Sequence, residues 1–455
     1  MTRRLPVALA LLLIGHVVVI SQERKAVEPK ESSDLVAKSR TFIDLLAGGD
    51  FQRAEGYFDD AMKAALSQDK LQAAWNTITS QAGDFKRQAR ARTEKRGSYD
   101  AVIITCEFER AAIDVQIVFD SAKRIAGLFF TPTKEAAEYV PPSYVKPNAF
   151  REKEVTVGTG EWVLPATLTL PAGQGPFPAV VLVHGSGPHD RDETVGQNKP
   201  FRDLAWGLAS RGIAVLRYEK RTKQYADRLK TVGGHFTVKE ETIDDALAAV
   251  ALLRRTEGID AKRIFVLGHS LGGTLIPRIG QLDPNIAGFI VLAGATRPME
   301  DSLVEQMAYI FSLDGKISRE EEAQLEEIKR QVAKIKSLKP SEAHSAASIL
   351  GAPVSYWLDL RGYDPAEAAK SLKQPMLILQ GERDYQVTAD DFRRWKAALS
   401  AKPNVEFKSY PKLNHLFIEG SGKSSPAEYN TPGHVAEAVI NDIADWIKKT
   451  STAQR

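Results

Sequence analysis

Between Phe177 and Ser270 the chain alternates between two kinds of segment. "FPAVVLVHGSG", "IAVLRYE" and "RIFVLGHS" are continuous apolar runs, while "FRDLAWGLASRG" and "TIDDALAAVALLRRT" between them space their apolar residues as a helix does. A strand that is apolar on both faces must be covered on both, and parallel strands need long crossovers. The alternation therefore predicts a mostly parallel sheet with helices on either side. "PMLILQGERD" and "NVEFKSYPKLNH" extend this sheet, and "VAEAVINDIADWIKK" closes it with a helix. Open parallel sheets gather their functional groups at the carboxyl ends of the strands.

Upstream the pattern differs. From Ser32 to Trp75 it is helical, with Leu35, Phe42 and Leu45 near one face and Gly48-Gly49 as a stop. "SYDAVIITCEF", "AAIDVQIVFD" and "RIAGLFFT" then read as strands, predicting a small α+β domain over 30–140. "YVPPSYVKPNAF" is a proline-rich linker to the α/β domain over 150–450. Between "FIVLAGAT" and "PMLILQG" the alternation is interrupted. There "SREEEAQLEEIKRQVAKIKSLK" opens with a capping box, Ser318 and Glu321, and aligns Leu325, Ile328, Val332 and Ile335. A helical cap insertion at about 297–370, lying over the sheet's carboxyl edge, is the expectation.

A chain of 455 residues with 43% hydrophobic content fills more than one core. A net charge of +3 with 26% charged residues leaves no basic surplus for a phosphate backbone, so nucleic acid is excluded as a partner. "MTRRLPVALALLLIGHVVVISQERK" pairs two arginines with an apolar run from Leu5 to Ile20, which reads as a secretory signal peptide over 1–21. The body is then extracytoplasmic, periplasmic or secreted, and a retained segment would anchor it in a membrane. Cys106 is the single cysteine, so no internal disulfide can form.

Gly268-His269-Ser270-Leu271-Gly272 fits G-x-S-x-G, in which glycines let a sharp strand-to-helix turn lift a serine above the sheet. The spacing alone is common, so context decides. "RIFVL" is a strand immediately before it and "LGGTLIPRIGQL" a helix immediately after. A nucleophile needs a base, an acid to orient it and donors for an oxyanion. Asp384 follows the strand in "PMLILQGERDYQV", with Glu382 as its rival; Asp390 and Asp391 fall in the next helix's first turn, where its dipole explains them. His415 lies in the loop after the last strand, whereas His434 begins the final helix. The order Ser270, Asp384, His415 follows. Gly185, Ser186 and Gly187 after the strand Ala179 to Val183 offer backbone N–H groups to an oxyanion, with the N–H of Leu271 as partner. His184, His189, Asp190 and Asp192 are rich in ligand atoms but have no downstream set, so neither metal nor other cofactor is expected.

From Phe150 onward the chain resembles the α/β-hydrolases, and more closely bacterial exported esterases of the dienelactone-hydrolase and serine-aminopeptidase-like branches. The resemblance rests on "HGSGPHDRDETVGQNKPFRDLAWGLASRGIAVLRYEKRT", "GHSLGG", "YWLDLRGYDPAEAAKSLKQPMLILQGERDYQV" and "LNHLF". It implies carboxylesterase-type action on short acyl esters, a small-molecule ester as substrate, and a triad of Ser270, Asp384 and His415. In "RYEKRT" threonine stands where relatives commonly carry glycine. The N-terminal region resembles a domain of unknown function found ahead of such hydrolases, whose partner is unknown. Three other readings stay open: aminopeptidase-like action, thioester hydrolysis, and a non-catalytic cell-envelope binding protein. Tyr356, Trp357 and Tyr363 serve either as the insertion's core or as a substrate wall.

Overall fold

The computed structural model describes residues 29–96, 99–109, 111–132, 139–231, 236–345 and 347–453. The signal peptide expected over 1–21 lies outside these residues. Among the described residues no helix is long and apolar enough to cross a membrane. They fall into two compact units divided near residue 137.

In the smaller unit, helices Pro29–Ala47, Phe51–Glu55, Asp60–Ala65 and Gln68–Ala82 precede an antiparallel sheet in the order β1-β2-β3-β4. Its strands are β1 (Phe85–Arg96), β2 (Tyr99–Phe108), β3 (Ala112–Phe119) and β4 (Ile125–Pro132). Phe42, Phe58, Trp75, Cys106 and Ile117 share one core. Sequence patterning did not reveal β1, because "FKRQARARTEKR" has no apolar alternation. Among the described residues it is an edge strand paired with β2, and its charges discourage pairing with another chain.

The larger unit contains β5 (Phe150–Val157), β6 (Leu164–Pro171), β7 (Phe177–Val183), β8 (Ala214–Tyr218), β9 (Ile259–His269) and β10 (Gly288–Leu292). A short hairpin, β11 (Ser348–Ile349) and β12 (Ala352–Pro353), is followed by β13 (Met376–Gly381) and β14 (Val405–Tyr410). Eight of these strands form one sheet in the order β14-β13-β10-β9-β7-β8-β6-β5, parallel from β14 through β8. The hairpin of β5 and β6 adds antiparallel at the far edge.

Alternate residues feed opposite cores. Val181, Ile264 and Val266 pack with Val250, Leu275 and Trp395 of helices Asp244–Arg254, Leu271–Leu282 and Ala389–Leu399. Val180, Phe265 and Leu267 pack with Leu208 and Ile443 of helices Pro200–Ala209 and Glu437–Ala453 on the other face. This two-sided burial is what the apolar runs required.

The insertion after β10 holds helices Met299–Phe311 and Arg319–Ser337, the β11–β12 hairpin and helix Val354–Leu360. Ser318 Oγ accepts from the Glu321 N–H at 3.2 Å, and the Glu321 carboxylate accepts from the Ser318 N–H at 2.8 Å. Ile335 and Leu338 pack with Ile349, Val354 and Trp357 in a small core belonging to the insertion itself.

Candidate active site

β9 ends at His269, and helix Leu271–Leu282 begins one residue after Ser270. The turn between them forces Ser270 to φ 54° and ψ −118°, a region that L-residues avoid at a cost of about 1–3 kcal/mol. Tight packing holds it there. The Ser270 N–H donates to the Leu292 carbonyl at 2.9 Å, and a Cβ at position 268 would stand 2.3 Å from the Gly272 carbonyl carbon. A Cβ at position 272 would stand 2.3 Å from the Val183 carbonyl oxygen. Only glycine fits at either place, so Gly268 and Gly272 are steric requirements of the elbow.

The turn after β13 carries Asp384, and the loop after β14 carries His415; both are buried. Asp384 Oδ2 accepts from His415 Nδ1 at 2.7 Å and from Gln380 Nε2 at 3.3 Å. Its Oδ1 accepts from the Gln386 and Val387 N–H groups at 2.8 and 3.0 Å. This pairing fixes the histidine ring and leaves Nε2 as the atom able to take a proton. The rivals are engaged elsewhere. Glu382 accepts from Ser409 Oγ, His434 contacts Asp203, and Asp390 pairs with Arg393. Asp391 does more than meet a helix dipole: it is fully buried and binds the backbone of Thr296 and the Arg297 guanidinium.

One side chain that sequence reasoning missed, Glu193, ties the elbow to its neighbours through His269. Glu193, buried and at φ 50°, places Oε2 2.8 Å from Nδ1 of His269, whose Nε2 donates to the His415 carbonyl at 2.9 Å. Burial pushes the Glu193 carboxyl up, but the facing His269 outweighs it and holds the group well below the usual carboxylate range. Burial likewise pushes His269 down, and Glu193 reverses this, so the imidazole binds its proton more tightly than a free one. A buried ion pair thus connects the residue before Ser270 to the backbone of His415.

Glu193 also corrects one expectation. Its Oε1 accepts the Gly185 N–H at 2.6 Å, so that N–H is committed and is not an oxyanion donor. The small residue is needed for another reason: a Cβ there would crowd the Ser270 Cβ at 3.1 Å. Ser186, Gly187, Ser270 and Leu271 line one cavity of about 760 Å³, and among the described residues no acceptor meets the N–H of Ser186 or of Leu271. Thr222 donates through its hydroxyl to the Gly187 carbonyl at 3.3 Å and so supports this loop.

The other ligand-rich side chains of that loop have structural partners. His184 Nε2 meets the Asp190 carbonyl at 3.1 Å, and burial pushes its pKa down to about 3. Asp190 binds the Thr194 N–H, and Asp192 pairs with Arg217, Lys199 and Arg202.

Across the cavity the insertion supplies Met299, Leu303, Leu350, Tyr356, Trp357 and Leu360. Tyr356 and Trp357 are therefore both core and wall. Among the described residues the charged side chains lining the cavity are Glu241 and Arg297, and each is neutralised by a partner. Glu241 contacts Lys220 Nζ at 2.7 Å and accepts from the Tyr356 hydroxyl at 2.7 Å; Arg297 pairs with Asp391 at 2.8 Å and with Glu305.

A parallel sheet with a serine elbow at the end of its central strand, an Asp-His pair on later strands and a capping insertion defines an α/β-hydrolase. Residues 174–421 match the family described as serine aminopeptidase, S33, and the chain belongs to that family. Residues 39–128 match a family described only as a protein of unknown function. The chain is 42% identical over 410 residues to esterase EstD of Thermotoga maritima, covering 90% of this chain and 94% of that one. Among solved structures, a putative dienelactone hydrolase of Klebsiella pneumoniae aligns at 18% identity with a TM-score of 0.41, covering 66% of this chain and 99% of its own. An esterase of Pyrococcus furiosus aligns at 17% identity with a TM-score of 0.42, covering 70% and 97% respectively.

Proposed function

We propose that this hydrolase cleaves short-chain carboxylic esters through an acyl-enzyme on Ser270. His415 Nε2 takes the Ser270 hydroxyl proton as Oγ attacks the ester carbonyl, and Asp384 holds the tautomer and stabilises the imidazolium. The N–H groups of Ser186 and Leu271 receive the developing oxyanion. Collapse of the tetrahedral intermediate breaks the ester C–O bond, and His415 returns the proton to the departing alcohol. Water, deprotonated by the same histidine, then attacks the acyl-enzyme and releases the acid.

The observation that carries the choice of substrate is the charge balance of the cavity. An aminopeptidase must hold a free ammonium, yet Glu241, the carboxylate found on the cavity wall among the described residues, is already paired with Lys220 and Tyr356. With Arg297 equally occupied, the walls favour a neutral, apolar acyl chain. The relative named esterase EstD supports the same reading. The arginines and apolar run at residues 3–20 support an extracytoplasmic location.

Hydrolysis of p-nitrophenyl esters from acetate to decanoate, beside alanyl and leucyl p-nitroanilides and acetyl-CoA, tests this. Turnover of the shorter esters, with the anilides and the thioester untouched or far slower, is expected. Preferential cleavage of an aminoacyl anilide would overturn the esterase reading in favour of a peptidase.

A further inference from the structure

Gly185 is held by charged side chains at both its C=O, which lies in the Gly185–Ser186 peptide, and its N–H, which lies in the peptide before it. Lys220, in the loop after β8, donates from Nζ to the Gly185 carbonyl at 2.6 Å, while Glu193 holds the N–H of the same residue at 2.6 Å. The Lys220 side chain is only 2% exposed, and its carboxylate partner among the described residues is Glu241 at 2.7 Å. Glu241 sits on a π-helical turn, Lys239–Ile243, and carries the Tyr356 hydroxyl of the insertion. Lysine is almost never so buried unless paired, and a buried pair gains little stability over apolar residues of the same volume. This pair is also spent on a backbone carbonyl.

We propose that Lys220 is a positioning residue of the oxyanion hole, acting through the Gly185–Ser186 peptide. In a planar trans peptide the C=O and N–H point in opposite directions. An ammonium on the Gly185 oxygen therefore lies behind the Ser186 N–H and fixes its aim. It also draws electron density toward the oxygen through the amide resonance, which leaves the N–H a stronger donor, the cooperative effect of hydrogen bonds in series. The benefit grows as negative charge develops on the substrate oxygen, so it belongs to the transition state more than to the bound ester. Glu241 balances the ammonium, and Tyr356 links the balance to the insertion that covers the cavity. The assignment rests on Ser186 being an oxyanion donor in the acyl transfer proposed above.

Lys220→Met combined with Glu241→Gln removes both charges, so no unpaired buried ion confuses the result. The readouts are kcat and KM on p-nitrophenyl butyrate and the Ki of an alkyl trifluoromethyl ketone, whose hemiketal oxygen occupies the oxyanion hole. Because Ser186 keeps its N–H, the fall in kcat should be about tenfold, less than the 10² or more that deleting a whole donor costs. KM should stay within about twofold, and Ki should rise in parallel with the loss of kcat. Lys220→Gln combined with Glu241→Gln, which keeps a neutral donor in the buried site and leaves no unpaired ion, is the milder variant, and its kcat should fall between those of the wild type and the methionine variant. A folded variant of either kind with wild-type kcat and Ki overturns the proposal, as does a loss of kcat without any change in Ki. Ser270→Ala in the same series separates the two claims. Turnover surviving in Ser270→Ala would defeat the acyl-enzyme reading, whereas an inert Ser270→Ala beside an unaffected Lys220 series would defeat only the role of Lys220.

Discussion

Replacing Gly272 by alanine is the sharpest steric test of the elbow. Its φ lies outside the left-handed region, so alanine meets no backbone penalty and only space is at issue. The added Cβ would stand 2.3 Å from the Val183 carbonyl oxygen and 2.8 Å from that of His184, where ordinary contact begins near 3.4 Å. The start of helix Leu271–Leu282 must therefore retreat from the end of β7 by about 1 Å, the difference between 3.4 and 2.3 Å. The helix start carries the Leu271 N–H, and the loop leaving β7 carries that of Ser186. A shift of that size takes one donor out of hydrogen-bonding range of an oxyanion held by the other, a loss of about 10²–10³ in kcat. Overpacking should lower stability by about 1–3 kcal/mol, leaving a folded protein. Steady-state hydrolysis of p-nitrophenyl butyrate with thermal unfolding on the same sample reads both effects. A folded Gly272→Ala with more than a third of wild-type kcat would refute the reasoning.

Three further outcomes are expected. Asp384→Asn should lower kcat by about 10⁴ with little change in KM. Both carboxylate oxygens now accept, and because Oδ1 faces two backbone N–H groups, the amide NH₂ must face His415 and force its proton onto Nε2; near-normal turnover would contradict this. Stability should decline as pH rises above 6.5, because folded His269 binds its proton more tightly than the unfolded chain does. That contribution is complete below 6.5 and is lost as pH passes the raised value, so urea unfolding should show the decline in wild type and not in His269→Gln. Cys106 is fully buried, and burial pushes its thiol up to about 12. Iodoacetamide at pH 8 should modify it only after unfolding, and labelling of the native protein would count against the packing of the smaller unit.

The sheet and the elbow were legible because both are written in local terms. Apolar runs covered on two faces, a G-x-S-x-G turn and residues just past strand ends all follow from periodicity and spacing. The antiparallel β5–β6 hairpin and the edge strand β1 were not, since partly exposed strands such as "FREKEVTV" carry little alternation. Nor were the buried charges. Glu193, Lys220 and Glu241 look like ordinary surface residues in "HDRDE", "RYEKRT" and "VKEE", and only the tertiary fold brings them to His269, Gly185 and Tyr356. The misassigned Gly185 N–H has the same origin: small residues announce close approach, but which N–H stays free depends on a carboxylate eight residues on.

The role of Ser270 as nucleophile is tested most directly by intact mass after treatment with a fluorophosphonate, measured on the wild type and on Ser270→Ala, with ester turnover followed in parallel. One adduct is expected on the wild type, mapping to Ser270 and abolishing turnover, with neither adduct nor turnover in the variant. Turnover that survives in Ser270→Ala, or an adduct on another residue that accounts for the activity, would contradict that role.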